Sequence, residues 1–219
     1  MERIKDVSLA QRAADAIKTS IIEGKYNQGE KITEEECAKN LGLSRICVRE
    51  AFGQLAAEGL LVKEVNRCTR VASFTKREIE DVLRLRVAIE RLCIAQCRER
   101  KSIPEVSLRQ SVERMGELAA KGEGYEREQM REDFAFHAAI VDGAGNTHAA
   151  KVWHGIEGQI LTMLYPAVSE YTKKLGRRYH VREHTALIDA LEEESTAALD
   201  KMIEEHILES MSTLLEIYS

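Results

Sequence analysis

The sequence predicts a mainly α-helical protein of two domains, and three observations predict it. The 219 residues hold only two prolines, Pro104 and Pro166, few aromatics, and long runs of Ala, Leu, Glu, Arg and Lys, a composition that favours helices. Apolar residues recur at helical spacing almost throughout. The one interruption is "LLVKEVNRCTRVASF", residues 60–74, which is rich in β-branched residues and is broken by Asn66 and Arg67. That reads as two short strands joined by a turn. Three helices followed by a small β-hairpin make a winged helix-turn-helix over residues 1–74. The remainder, 75–219, reads as an all-α bundle of about six helices.

Residues 9–23 form the first helix, with Leu9, Ala13, Ala16, Ile17 and Ile21 on one face and Gly24 as its stop. "KYNQGEKI" reads as a turn. "TEEECAKNLG" follows with Thr33 and Glu36 as a capping box. The turn "NLGLS" is tight and holds a Gly, as a helix-turn-helix requires. Ser44 caps the third helix, whose inner face is Val48, Ala51, Phe52, Leu55 and Ala56. In the second domain the expected helices are 76–100, 103–121, 126–143, 147–172, 178–193 and 195–217. Thr75 with Glu78 and Ser102 with Glu105 are further capping boxes, and Pro104 suits a first turn.

Composition narrows the function. No apolar run reaches the ~18 residues of a membrane span. The charged N-terminus "MERIKDVSLAQRAADAIK" lacks the apolar core of a signal peptide. The expected location is the bacterial cytoplasm, at the nucleoid. Five cysteines do not suggest a disulfide framework. Cys93 and Cys97, four apart on a helix, could offer two thiolates to a metal, though free Cys is usually a small buried hydrophobe. The net charge of −5 is uneven: residues 1–75 carry 12 Lys+Arg against 11 Asp+Glu, and residues 76–219 carry 20 against 26. Any nucleic-acid contact must therefore be a local patch in the first domain.

Such a patch is present. The third helix of a helix-turn-helix meets base edges with its N-terminal residues. Here that end is "SRICVRE", and Arg45 and Arg49 share a face opposite Val48 and Phe52. Arginine forks pair with guanine O6 and N7 or with phosphate. Cations at a helix N-terminus oppose its dipole, an objection that a bound polyanion removes. Ser44 beside them, Lys31 before the second helix, and Arg67, Thr69 and Arg70 in the wing extend the patch.

The second domain carries a different constellation. In "REDFAFHAAIVDGAGN" Asp133 and His137 are four apart, on one helix face. His184 shares a stripe with Leu187, Ile188 and Leu191, and His206 with Leu199, Met202 and Ile203. A lone His on an apolar stripe is usually a satisfied core residue. Three of them, with a carboxylate, would each need a partner. One divalent cation satisfies all four, and three His plus one Asp suit zinc, nickel, iron or manganese. His180, four residues before His184 in "HVREH", is a rival ligand, but its place near a helix start beside Arg178 and Tyr179 reads as exposed.

These stretches resemble a known family. "IIEGKYNQGEKITEEECAKNLGLSRICVREAFGQLAAEGLL" resembles the N-terminal domain of the GntR family of bacterial transcription regulators, and the likeness spans residues 10–74. Gln28 and Cys47 stand where Pro is usual in the family, and Cys68 where the wing usually has Gly. "DFAFHAAIVDGAGN", "EHTALIDAL" and "MIEEHI" look like the FCD effector domain of the FadR branch, over residues 78–215. The resemblance places Asp133, His137, His184 and His206 at that domain's metal positions. It matches Arg86 and Glu90 of "LRLRVAIERL" to its first helix, and it puts Arg86 and Asn146 at the effector. What it implies is a homodimeric regulator that binds double-stranded operator DNA, as a repressor, and senses a small carboxylate through one divalent metal. A regulator sensing the metal itself is the alternative. A metal-dependent hydrolase or lyase would need a positioned general base, and no motif supplies one, so the chain is not expected to be an enzyme.

Overall fold

The structure, a computed structural model, describes residues 8–64, 68–193 and 196–217. Its chain falls into two compact units. The first is Met1–Phe74 together with Ile156–Tyr165, and the second is Thr75–Gly155 with Pro166–Ser219.

The first unit opens with α1 (Leu9–Ile22), capped by the Ser8 hydroxyl, which accepts from the Gln11 amide. After β1 (Lys31–Ile32) comes α2 (Glu34–Leu41), where the Thr33 side chain accepts from Glu36 N–H and Gly42 closes the helix at φ +65°. A left-handed residue at that place is what tightens the turn into α3 (Arg45–Ala57). β2 (Leu61–Lys63) and β3 (Thr69–Val71) form the expected hairpin. A third strand was not expected: β1 pairs antiparallel with β3, Lys31 opposite Arg70, in the order β1-β3-β2. Two residues are too few to show a period-2 pattern, so "KI" reads as turn from sequence. Ala13, Ile17 and Ile21 of α1 pack on Val48, Ala51, Phe52 and Leu55 of α3 in one core with Ile32 and Val71 of the sheet. Burying one face each of three short helices and a small sheet is what holds so small a unit together.

The second unit holds seven α-helices rather than six. α4 (Lys76–Arg100) begins at a full capping box: Thr75 N–H donates to Glu78 Oε2 at 2.8 Å, and Glu78 N–H donates to Thr75 Oγ1 at 3.3 Å. α5 starts at Glu105 and runs to Lys121. The Ser102–Glu105 box does not form, because the Ser102 hydroxyl donates instead to the Gly143 carbonyl at 2.9 Å, and Pro104 takes the cap position. α6 is Glu126–Gly143. The long helix expected over 147–172 is split into α7 (Thr147–Leu164), a 3₁₀ turn (Tyr165–Ala167) and α8 (Val168–Leu175). Pro166 sits in that turn; it has no N–H to donate and its ring crowds the preceding turn. α9 (Tyr179–Glu193) and α10 (Thr196–Ile217) complete the unit. α5 packs on α6 and α9, and α4 lies between α6 and α10. Among the described residues no helix is long and apolar enough to cross a membrane.

Candidate functional site

Periodicity turns one stripe of α6, α9 and α10 toward the interior of the second unit. On those stripes Asp133 and His137 (α6), His184 (α9) and His206 (α10) replace apolar residues. One ligand atom from each of the four lies within 4.8 Å of all the others. Asp133, His137 and His184 are buried.

Hydrogen bonds around the cluster fix which ring nitrogens carry protons. His137 Nδ1 lies 2.6 Å from Glu90 Oε2. Glu90 is fully buried. Burial alone would raise its pKa, but His137 and Arg86 outweigh that and hold it down at about 2. An ionised carboxylate accepts, so His137 Nδ1 must donate and its Nε2 is left as a lone pair. His184 Nδ1 donates to the His180 carbonyl at 2.7 Å, so its Nε2 is a lone pair as well. That nitrogen lies 3.0 Å from Asp133 Oδ1 and has no hydrogen-bond partner. The two facing atoms are both electron-rich. His137 Nε2 and His206 Nε2 face each other at 3.2 Å, and His206 Nδ1 is buried without a partner. Burial lowers the pKa of His184, and that of His206 well below the ordinary imidazole range, so both are neutral, the form that ligates. At Asp133 burial acts upward, but the imidazoles of His184 and His180 outweigh it and hold the carboxyl well below its usual range.

Lone pairs from three imidazoles and a carboxylate oxygen thus converge with too few protons to separate them. A divalent cation fits this donor set and resolves both orphaned contacts. Glu90 orients the arrangement: besides His137 it accepts from Arg86 Nε at 2.7 Å and Trp153 Nε1 at 2.9 Å. A carboxylate behind a ligating imidazole fixes the ring and raises its basicity. The likeness to a family had matched Glu90 without giving it a role; its i, i+4 spacing from Arg86 was the available signal. Arg86 lies 4.7 Å over the Phe134 ring, and its Nη2 is buried with no hydrogen-bond partner.

His180 differs from its sequence reading. It is mostly buried, and its Nδ1 lies 3.2 Å from Asp133 Oδ1. α9 begins at Tyr179, one residue before it, and Tyr171 of α8 packs against its ring; the helix start is therefore covered rather than open. Asn146 takes a capping position. Its Oδ1 accepts from Ala149 N–H and its Nδ2 donates to Gln96 Oε1, both at 3.1 Å. Cys93 and Cys97 are buried, Cys97 donating to the Ile140 carbonyl, and they do not join the cluster. Beside His206 a cavity of about 610 Å³ opens between α9 and α10, bordered by Glu183, Glu205 and Glu209.

In the first unit, Arg45, Arg49, Lys31 and Thr69 border one groove of about 710 Å³, with Lys63 and Cys68. Lys63 was not foreseen; it lies on β2, where a three-residue strand shows no clear facing. Arg49 pairs with Glu34 at 3.1 Å and Arg45 with Glu35 at 3.9 Å, all at the surface except the partly covered Glu34. The Ser44 hydroxyl is occupied as a cap, accepting from Cys47 N–H. Arg70 is turned to Glu64 and the Gly29 carbonyl, at 3.1 and 3.0 Å. Arg67 lies outside the described residues. Ile46 is 69% exposed at the second position of α3, an apolar side chain beside the arginines that suits contact with a thymine methyl.

Comparison with known proteins supplies the class. The family of bacterial regulatory proteins of the gntR type matches residues 9–71, and the FCD domain family matches residues 81–209. The chain is 30% identical over 209 residues to the "Probable D-xylose utilization operon transcriptional repressor" of Paenarthrobacter nicotinovorans, covering 94% of this chain and 87% of that protein. It is 25% identical over 198 residues to the "Nta operon transcriptional regulator" of Aminobacter aminovorans, covering 89% and 92%. The fold is that of E. coli McbR/YncC, with a TM-score of 0.77 at 19% identity over 97% of this chain and 100% of that one. An N-terminal helix-turn-helix with a three-stranded wing and a helical FCD domain, matched along almost the whole chain, place it in the GntR family of bacterial regulatory proteins: it is a transcription regulator, not an enzyme.

Proposed function

We propose that this regulator binds operator DNA as a dimer and represses until a small organic acid reaches a metal held in its second domain. The observation that carries the reading is the set of inward lone pairs at His137, His184 and His206 beside Asp133 Oδ1, which lack protons to share. Those four residues would hold the cation. A bound divalent ion would supply an electrophilic centre for carboxylate oxygens. With Glu90 and Asp133 ionised, Arg86 charged and the imidazoles neutral, the ion leaves one surplus positive charge, which a monocarboxylate matches. The free N–H groups of Arg86 Nη2 supply a second point of attachment. The groove of Arg45, Arg49, Lys31, Lys63 and Thr69 is the DNA-facing surface in this reading, with the Glu34 and Glu35 pairs exchanged for phosphate or base contacts. Repression is supported by the printed name of the Paenarthrobacter relative.

The test is operator binding by fluorescence anisotropy on the DNA upstream of the gene, with a panel of small organic acids. The reading expects one acid to weaken binding in metal-loaded protein and to do nothing after chelation. The acidic rim of Glu183, Glu205 and Glu209 favours a second reading, in which the cation is the signal. Metal titration without any acid separates the two: operator affinity that follows metal alone supports the second.

A further inference from the structure

α4 presents two faces. Ile79, Leu83, Arg86, Glu90, Cys93, Ile94 and Cys97 point inward. On the other side Asp81, Leu85, Ala88, Leu92, Ala95 and Glu99 are all exposed. Their spacing alternates four and three, the seam of a coiled coil. Two of them are large and apolar, Leu85 at 43% and Leu92 at 48% exposure, and two small alanines lie between and beyond them. A charged solvent face would not need this pattern. α10 packs beside α4 and leaves a groove of about 310 Å³ alongside Ala88, bordered by Arg84, Val87, Arg91, Glu204 and Leu208. A groove next to a small residue is the hole that a neighbouring helix's leucine fills.

We infer that this stripe is the seat of α4 from a second copy of the chain, packed antiparallel with the two-fold axis at Ala88. The inference rests on the dimer reading above and names its face. Charge selects both the occupant and its direction. With the axis at Ala88, a residue n positions before it faces the residue n positions after it on the second copy. Arg77 then faces Glu99 of the second copy, and the same pair recurs on the other side of the axis. In the structure Arg77 reaches only Asp81 of its own helix, at 3.8 Å, with both side chains mostly in solvent. A parallel pairing would set Arg77 on Arg77 and Glu99 on Glu99, like charge on like. Leu85 and Leu92 flank the axis, so each leucine of one copy lies over Ala88 and the opposite leucine of the other. Such a self-complementary patch is what a closed two-fold dimer requires.

The experiment uses the full chain. Light scattering and sedimentation at micromolar concentration are expected to give a dimer. The double variant Leu85→Glu/Leu92→Glu, altered only at exposed positions, is expected to keep its circular-dichroism spectrum while its dimer dissociation constant rises about a hundredfold or more. Under mild oxidation Ala88→Cys is expected to cross-link into a disulfide dimer, whereas Val106→Cys, a control on the exposed face of α5, does not. A wild-type monomer would overturn the dimer reading itself. A wild-type dimer that the double variant leaves intact, with Ala88→Cys linking no faster than Val106→Cys, would overturn the assigned face and leave the dimer standing.

Discussion

His184 shows at the scale of one residue how the site works. Its Nδ1 proton is held by the His180 carbonyl one turn earlier, so its Nε2 is bound to present a lone pair to Asp133. His184→Ala and His206→Ala are therefore expected to lose the metal. In metal-loaded wild-type protein both binding and folding draw on the same contacts, so each variant is also expected to melt lower than the holo wild type, read by differential scanning fluorimetry. Glu90→Gln keeps the size but removes the charge that orients His137. Metal affinity is expected to fall about 10–100-fold, measured by competition with a chromophoric chelator. Of this site, the four cluster residues were legible as apolar stripes interrupted by His and Asp. Glu90 and His180 were not, because their roles depend on contacts from α4 to α6 and from α9 to α6 that no local spacing encodes.

At the scale of elements, the ends of helices were legible where a side chain caps its own helix and obscure where a distant group competes. Thr75 and Glu78 cap α4 as their spacing indicates. Thr75→Ala is expected to destabilise the protein by about 1 kcal/mol in urea melts. The hydroxyl and amide of Thr75 hold the Glu78 carboxyl below its ordinary range. A depressed carboxylate stabilises above its unfolded pKa, near ~4.3, and that share is lost as pH falls through the folded value. Glu78→Gln is thus expected to narrow its stability gap from wild type as pH drops into that acid range, in melts at a series of pH values. Ser102 also has the spacing of a cap, but the Gly143 carbonyl, 41 residues away, claims its hydroxyl. Likewise β1 owes its strand to β3 rather than to its own two residues. On α3, Arg45→Ala and Arg49→Ala are each expected to weaken operator binding by about 1–3 kcal/mol in anisotropy titrations, and to relax base preference where the Arg reads a base edge. Part of that loss is offset, since Glu34 and Glu35 must release the arginines before DNA can take them.

At the scale of the whole molecule, a helix-turn-helix unit and an FCD unit place a reading surface and a buried polar cluster on one chain. The cluster is expensive for a fold to keep. Buried imidazoles, a carboxylate and an arginine with an unpartnered N–H each lose hydration that packing alone does not restore. A stored function accounts for them where stability does not. That account turns on the cation, and elemental analysis of the purified full chain tests it most directly. Wild-type protein and the His206→Ala variant are incubated with a divalent metal, exchanged into metal-free buffer, and assayed by mass spectrometry. One ion per chain in the wild type, falling to a small fraction in the variant, is the predicted result; equal metal in both, or none in either, would contradict it.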